Sequence, residues 1–183
     1  DEDFDHDMFG EYSGAGVIFG VTGGVMEAAL RTVAVKLTGE ELNDVNFYAV
    51  RGVEGVKEAT LNLAGMEVKV AVAHSMSLAK PLLDEIRAGT SPYAFIEIMG
   101  CPGGCINGGG QSIVNARTRN AMGTQFMKLR AKALYDEDEI MPHRQSHKNT
   151  QILALYENFL HEPCGHRSHE LLHTHYTAKT RFK

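Results

Sequence analysis

The chain has 183 residues, 43 % of them hydrophobic, with a formal charge of −5, nine histidines and three cysteines. That is enough apolar material for the core of one ordinary domain, and too little length for two full ones. No block of lysine and arginine points to a nucleic-acid partner, no apolar run is long enough for a membrane span, and three cysteines are too few for a disulfide framework.

A reducing cytoplasm is therefore the expected setting. The chain opens on aspartate and carries five acids in Asp1–Asp7, so it reads as starting within a longer polypeptide.

Helix-period and strand-period segments alternate along the chain, which predicts an α/β fold. The expected form is one lobe with a small twisted, largely parallel sheet that contains a hairpin and is flanked by helices, followed by a helical C-terminal part. Thr22 is placed to cap a first helix with the apolar stripe Met26, Leu30, Val33 and Leu37, ending at Gly39. A strand near Val45–Val50 follows. Ala59, Leu61 and Leu63 alternate with polar residues, as do Met66, Val68, Val70 and Val72 beyond Ala64-Gly65, so the pair reads as a hairpin. A helix from about Ser77 to Ala88 then leads to Ala94–Met99, which is apolar on both faces and reads as a buried central strand parallel to the hairpin's second strand. Later helices are striped by Phe126, Leu129 and Ala133, by Ile152, Tyr156 and Phe159, and by Leu171 and Leu172.

At the carboxyl end of that strand, where open α/β sheets tend to build their sites, comes Phe95-Ile-Glu-Ile-Met-Gly-Cys-Pro-Gly-Gly-Cys-Ile-Asn-Gly-Gly-Gly-Gln111. Cys101 and Cys105 lie in a glycine-rich bend. Glycine adopts positive φ and exposes its amide, so Gly103, Gly104 and Gly108–Gly110 can offer N–H groups to anionic sulfur while the cysteines supply thiolates. On spacing alone, two thiols near a turn are more often inert. Upstream, the Gly20-Val-Thr-Gly-Gly24 turn opens a helix whose free N–H groups and positive dipole end suit an anionic group, though on the residues alone helix entry and close packing are the commoner reason for such glycines. A competing signal is His169-Glu170-Leu-Leu-His173, the pattern of zinc hydrolases, with Glu170 as a base. It lacks a well-placed third ligand, because His175 diverges from His173 on a continuing helix.

The string Phe95–Gln111 strongly resembles the last cysteine motif of the [FeFe]-hydrogenases. Gly14–Thr32 and Ser146–Tyr176 resemble that family's helix-entry segment and C-terminus, so the likeness spans essentially residues 1–183. It implies that the chain is the C-terminal half of the H-cluster catalytic domain. Cys101 is implied to bind the [4Fe-4S] part. Cys105 is implied to bind it too and to bridge through sulfur to a two-iron subsite bearing CO, CN and a bridging dithiolate. Phe19, Gly20 and Met99 are implied to line that subsite.

The implied activity is reversible H2 oxidation and proton reduction. The implied redox partner is a ferredoxin or an NAD(P)H-linked subunit. The family's two other cluster cysteines, in motifs of the Thr-Ser-Cys-Cys-Pro and Met-Pro-Cys types, do not occur in these residues, nor does its proton relay. A complementary N-terminal half, on the same or a separate chain, is therefore implied, and the fragment alone is expected to be inactive. Cys164 reads as a free thiol. Gly100 stands where the family usually has alanine, and Ser112 where proline is common. The alternative is a hydrogenase-like iron–sulfur assembly scaffold that holds a [4Fe-4S] cluster without the two-iron subsite.

Overall fold

The structure is a computed structural model and describes residues 10–63 and 65–179. The acidic stretch Asp1–Asp7 and the turn residue Ala64 lie outside the described residues. The described chain divides into two units, Tyr12–Lys148 and a second formed by the described residues before Tyr12 and after Lys148.

The first unit begins with a short helix, α1 (Gly14–Val17), capped by Ser13, whose Oγ accepts from Gly16 N–H. A 3-10 turn at Ile18–Gly20 leads to α2 (Gly24–Thr38). Thr22 is not its cap. Gly23 holds the capping position at φ 93°, and Thr22 is buried with its N–H donated elsewhere. Gly39, at φ 70°, ends the helix as expected. Met26 and Leu30 are buried as the apolar pattern predicts, but Val33 and Leu37 are exposed and Ala34 completes the stripe.

The strand expected near Val45–Val50 is instead a loop and a 3-10 turn, Tyr48–Val50. Its polar groups are committed to other partners: Val45 O accepts from Arg31 Nε at 2.9 Å, and Asn46 N–H bonds Asp44 Oδ1 at 2.9 Å in a local turn. These local bonds, with the 3-10 turn that follows, take the place of a sheet ladder here.

Strand β1 (Val56–Leu63) pairs antiparallel with β2 (Met66–His74), from Val56 opposite Ala73 to Leu63 opposite Met66. Helix α3 (Met76–Ala88) crosses over to β3 (Phe95–Met99), which runs parallel to β2. The order is β1-β2-β3, so the sheet is mixed, with one antiparallel and one parallel pairing. The central strand is β2 rather than β3, which borders the described sheet and exposes Phe95 and Ile98.

Strand period explains the layers. Val70 and Val72 of β2 pack with Met26, Leu30 and Ala34 of α2. Ala71 and Ala73 point the other way, and their small size admits Ala79 and Leu82 of α3.

Beyond the cysteine bend come α4 (Ala116–Met122), capped by Asn115, and α5 (Gln125–Ile140). The buried face of α5 carries Phe126, Met127, Ala131 and Asp138, whereas Leu129 and Ala133 of the expected stripe are exposed. Asp138 belongs to a buried ion network. Arg31 of α2, fully buried, donates to both Asp138 oxygens at 2.7 and 2.8 Å and to Glu27 at 2.7 Å. Arg51 donates to Glu27 and Arg144 to Asp138, so each carboxylate meets two guanidiniums.

In the second unit, α6 (Thr150–Leu155) is capped by Asn149 and widens into a π-type turn at Tyr156–Leu160 before α7 (His166–Leu172). The widening shifts the helical phase, so Leu160 is buried and Phe159, expected inside, is exposed. Phe159, Leu171 and Leu172 line an apolar groove of about 540 Å³. Among the described residues, no helix is long and apolar enough to cross a membrane.

Candidate metal centre

Cys101 and Cys105 sit just past β3, exposed and unpaired. The bend between them is fixed by its own backbone: Gly104 N–H donates to Cys101 O at 3.0 Å, Asn107 N–H to Gly104 O at 3.1 Å and Gly108 N–H to Cys105 O at 3.0 Å. Gly103 and Gly104 take φ of 81° and 93°, values open to glycine at little cost. Of the five glycine amides expected to face sulfur, Gly104 and Gly108 are used within the bend. Gly103, Gly109 and Gly110 have no backbone acceptor among the described residues. A Cβ on Gly108 would lie 3.8 Å from Cys101 Sγ, so the glycine run lies directly beside that sulfur.

The loop is pressed against the turn that precedes α2. Thr22 N–H donates to Gly103 O at 3.0 Å. A Cβ on Gly104 would meet Gly20 O and Thr22 N at 2.8 Å and Met99 Sδ at 2.9 Å, and one on Gly20 would strike Leu134 at 2.8 Å. Gly20, Met99 and the cysteine bend are thus brought together, and Phe19 stands exposed on the same turn. Ile106 anchors the loop from below among Val21, Val53, Phe126, Met127 and Ala131. Arg130 bonds Ile106 O at 2.8 Å and Ser112 O at 2.6 Å.

The dipole end of α2 is not free for a ligand. Glu97, buried in β3, accepts from Gly23 N–H at 2.6 Å and Met26 N–H at 2.7 Å and so supplies the anion that the helix start favours. Amides without a backbone acceptor among the described residues remain in the glycine bend, at Gly103, Gly109 and Gly110.

Two exposed thiols in one glycine-rich loop that also carries these amides fit part of an iron–sulfur group. Among the described residues no group of three or more His, Cys, Asp or Glu is arranged to hold a metal, so they do not complete one.

The sequence pattern described as iron only hydrogenase large subunit, C-terminal domain, matches residues 1–109, and that of the iron hydrogenase small subunit matches residues 124–179. The chain belongs to the iron-only hydrogenase family. The NADP-reducing hydrogenase subunit HndD of Solidesulfovibrio fructosivorans is 48 % identical over 99 % of this chain, and iron hydrogenase 1 of Clostridium pasteurianum is 42 % identical over 91 %. The chain spans 30 % and 29 % of the lengths of these two relatives. A solved [FeFe]-hydrogenase HydA1 from Chlamydomonas reinhardtii superposes with a TM-score of 0.66 at 38 % identity, over 94 % of this chain and 49 % of that one. A rat protein named cytosolic iron-sulfur assembly component 3 matches at 30 % identity over 87 % of the chain.

In this iron-only hydrogenase chain the zinc-like motif gains no support from geometry. His169 and His173 lie exposed on and just after α7, their rings tilted against each other at 4.4 Å, and His175 lies in extended chain beyond. Cys164 is exposed, at φ 60°.

Two residues have roles that the sequence does not assign. Glu97 stands within the Phe95–Gln111 string, but nothing beyond one carboxylate inside an apolar strand signals its bonds to the start of α2. Lys57, half-buried, donates to Thr22 O and Gly52 O, both at 2.9 Å. Burial lowers its pKa to about 8, against the opposing pull of Glu97 and Glu54.

Proposed function

We propose that residues 1–183 form the C-terminal half of the catalytic domain of an [FeFe]-hydrogenase, which oxidises H2 and reduces protons reversibly. The observation that carries this reading is the closure of the Phe19–Thr22 turn and Met99 on a loop that leaves both Cys101 and Cys105 exposed. Cys101 and Cys105 would hold the [4Fe-4S] part of an H-cluster, with the Cys105 sulfur shared with a two-iron subsite that carries CO, CN and a bridging dithiolate. Bound there, the group supplies the interconversion of H2 with two protons and two electrons.

The chain's own residues prepare that place. Gly103, Gly109 and Gly110 retain amides for sulfur, Met99 and Gly20 form the wall behind Gly104, and Phe19 is available to cover the site and exclude water.

The remaining cluster ligands would come from a complementary N-terminal half, and electrons from a ferredoxin or an NAD(P)H-linked subunit. A relative named as NADP-reducing makes the second donor concrete. Three unpaired, exposed cysteines suit a reducing cytoplasm.

A second reading, an iron–sulfur assembly scaffold with a [4Fe-4S] cluster alone, rests on the relative named for that role. Hydrogen evolution from a reduced one-electron dye, measured on the full-length, matured protein beside its iron content, separates the two. Turnover is expected; iron retained without turnover would favour the scaffold.

A further inference from the structure

Four residues before Cys101, Glu97 reaches across to the start of α2 and takes two amide protons with one carboxylate, at 2.6 and 2.7 Å. Only 6 % of Glu97 is exposed, so these bonds do not compete with bulk water and two amides depend on it. One of them is Gly23, at φ 93°, where a Cβ would collide with Val50 O and come within 3.2 Å of Lys57 Nζ. Lys57 lies on the other side of the same turn and grips Thr22 O and Gly52 O. Thr22 then passes its N–H to Gly103 O inside the cysteine bend.

The strand that enters the loop is thus tied through Glu97 to the Thr22–Gly24 turn. The loop itself is tied through Gly103 to the same turn, and Lys57 holds that turn from beneath.

We propose that Glu97 and Lys57 are a pair of positioning residues of opposite charge that fix the cysteine loop against the Gly20–Thr22 turn and set the electrostatic surroundings of the iron group it binds. The inference rests on the functional reading of Cys101 and Cys105 given above. Neither residue touches the thiols; each acts through Thr22, Gly23 or Met26. A buried carboxylate disfavours an added electron nearby and a half-buried ammonium favours it, so the two should act on a midpoint potential in opposite directions. Residues that merely kept the loop in shape would have no reason to differ in sign.

The test uses the full-length, matured protein at pH 7, where Lys57 carries its proton, with the reduction of the [4Fe-4S] part followed by electron paramagnetic resonance in a redox titration. Glu97→Gln keeps the size of the side chain and removes its charge; Lys57→Met does the same for the ammonium. The expected result is a more positive midpoint in Glu97→Gln and a more negative one in Lys57→Met, with iron content retained in both. Unchanged midpoints, or displacement of both in one direction, would overturn the proposal. If Glu97→Gln does not fold, Lys57→Met decides alone: a more negative midpoint supports the pair and an unchanged one refutes it. An unmodified protein that loads iron elsewhere and gives no signal from this loop would sink the reading of the cysteines instead.

Discussion

Gly104 is the least replaceable position in the cysteine bend. Its φ of 93° with ψ of −161° lies in a region that essentially only glycine enters, and any Cβ there would be driven into Gly20 O, Thr22 N and Met99 Sδ. Gly104→Ala is expected to lose about 1–3 kcal/mol from backbone strain alone, read from urea denaturation, and to lower iron loading of the full-length protein. Gly100 is the contrast. It has no positive φ and nothing within 4 Å of a Cβ, so the alanine usual in the family fits without a clash. Gly100→Ala should raise stability by about 0.4–1 kcal/mol, by restricting the unfolded chain, and leave iron occupancy intact; a fall in occupancy would show that the loop needs glycine's freedom there. Lys57 gives a pH signature. The unfolded chain keeps this proton to about pH 10.4, whereas the folded protein releases it near 8, so between those values the unfolded state binds more protons. Stability from this group therefore rises as the pH goes from about 8 to 10.4. Denaturation at both ends of that window should show the rise in the parent protein and its loss in Lys57→Met.

Helix α2 meets three demands: it packs the sheet through Met26 and Leu30, starts on Glu97, and carries Glu27 and Arg31 into the ion network. That network explains why apolar periodicity misplaced its neighbours. The stripe of α5 was misread because its buried face contains Asp138, and Val45–Val50 forms no strand because Arg31 claims Val45 O. The hairpin and its register were legible because strict alternation leaves one pairing that buries Val70 and Val72. Arg31→Met leaves Glu27 to Arg51 and Asp138 to Arg144 alone, halving the guanidinium contacts of two buried carboxylates, and is expected to cost about 3 kcal/mol in chemical denaturation. The Asp138 carboxyl is pushed up by burial but held below its ordinary range by Arg31 and Arg144, which prevail. Its contribution is present above the unfolded value near 3.9 and is lost as the pH falls through the lower folded value, so acid should narrow the gap between the parent protein and Asp138→Asn. Helix α7 carries the opposite expectation. Its His169 and His173 are exposed, without a third ligand among the described residues, so His169→Ala should leave hydrogen turnover of the full-length protein largely unchanged.

Across the chain, the site was more legible than the packing that supports it. Cys101, Cys105, Met99 and Gly20 stand in strings of residue types specific enough to mark them, and the structure draws the loop, Met99 and Gly20 into contact. The roles of Glu97, which stands in the same string, and of Lys57 stayed hidden because a single charged residue in a strand has no period and its partners are backbone groups distant in sequence. The same geometry makes the site one-sided: two thiols and a glycine wall, in a chain that spans less than a third of the length of its two hydrogenase relatives. The role proposed for Cys105 is to share its sulfur with a two-iron subsite. Infrared spectra of the full-length, matured protein test it most directly, because iron-bound carbonyl and cyanide absorb where polypeptide does not. The parent protein is expected to show those bands and Cys105→Ser to lose them together with turnover; bands that persist unchanged in Cys105→Ser, or that never appear in an iron-loaded parent, would contradict it.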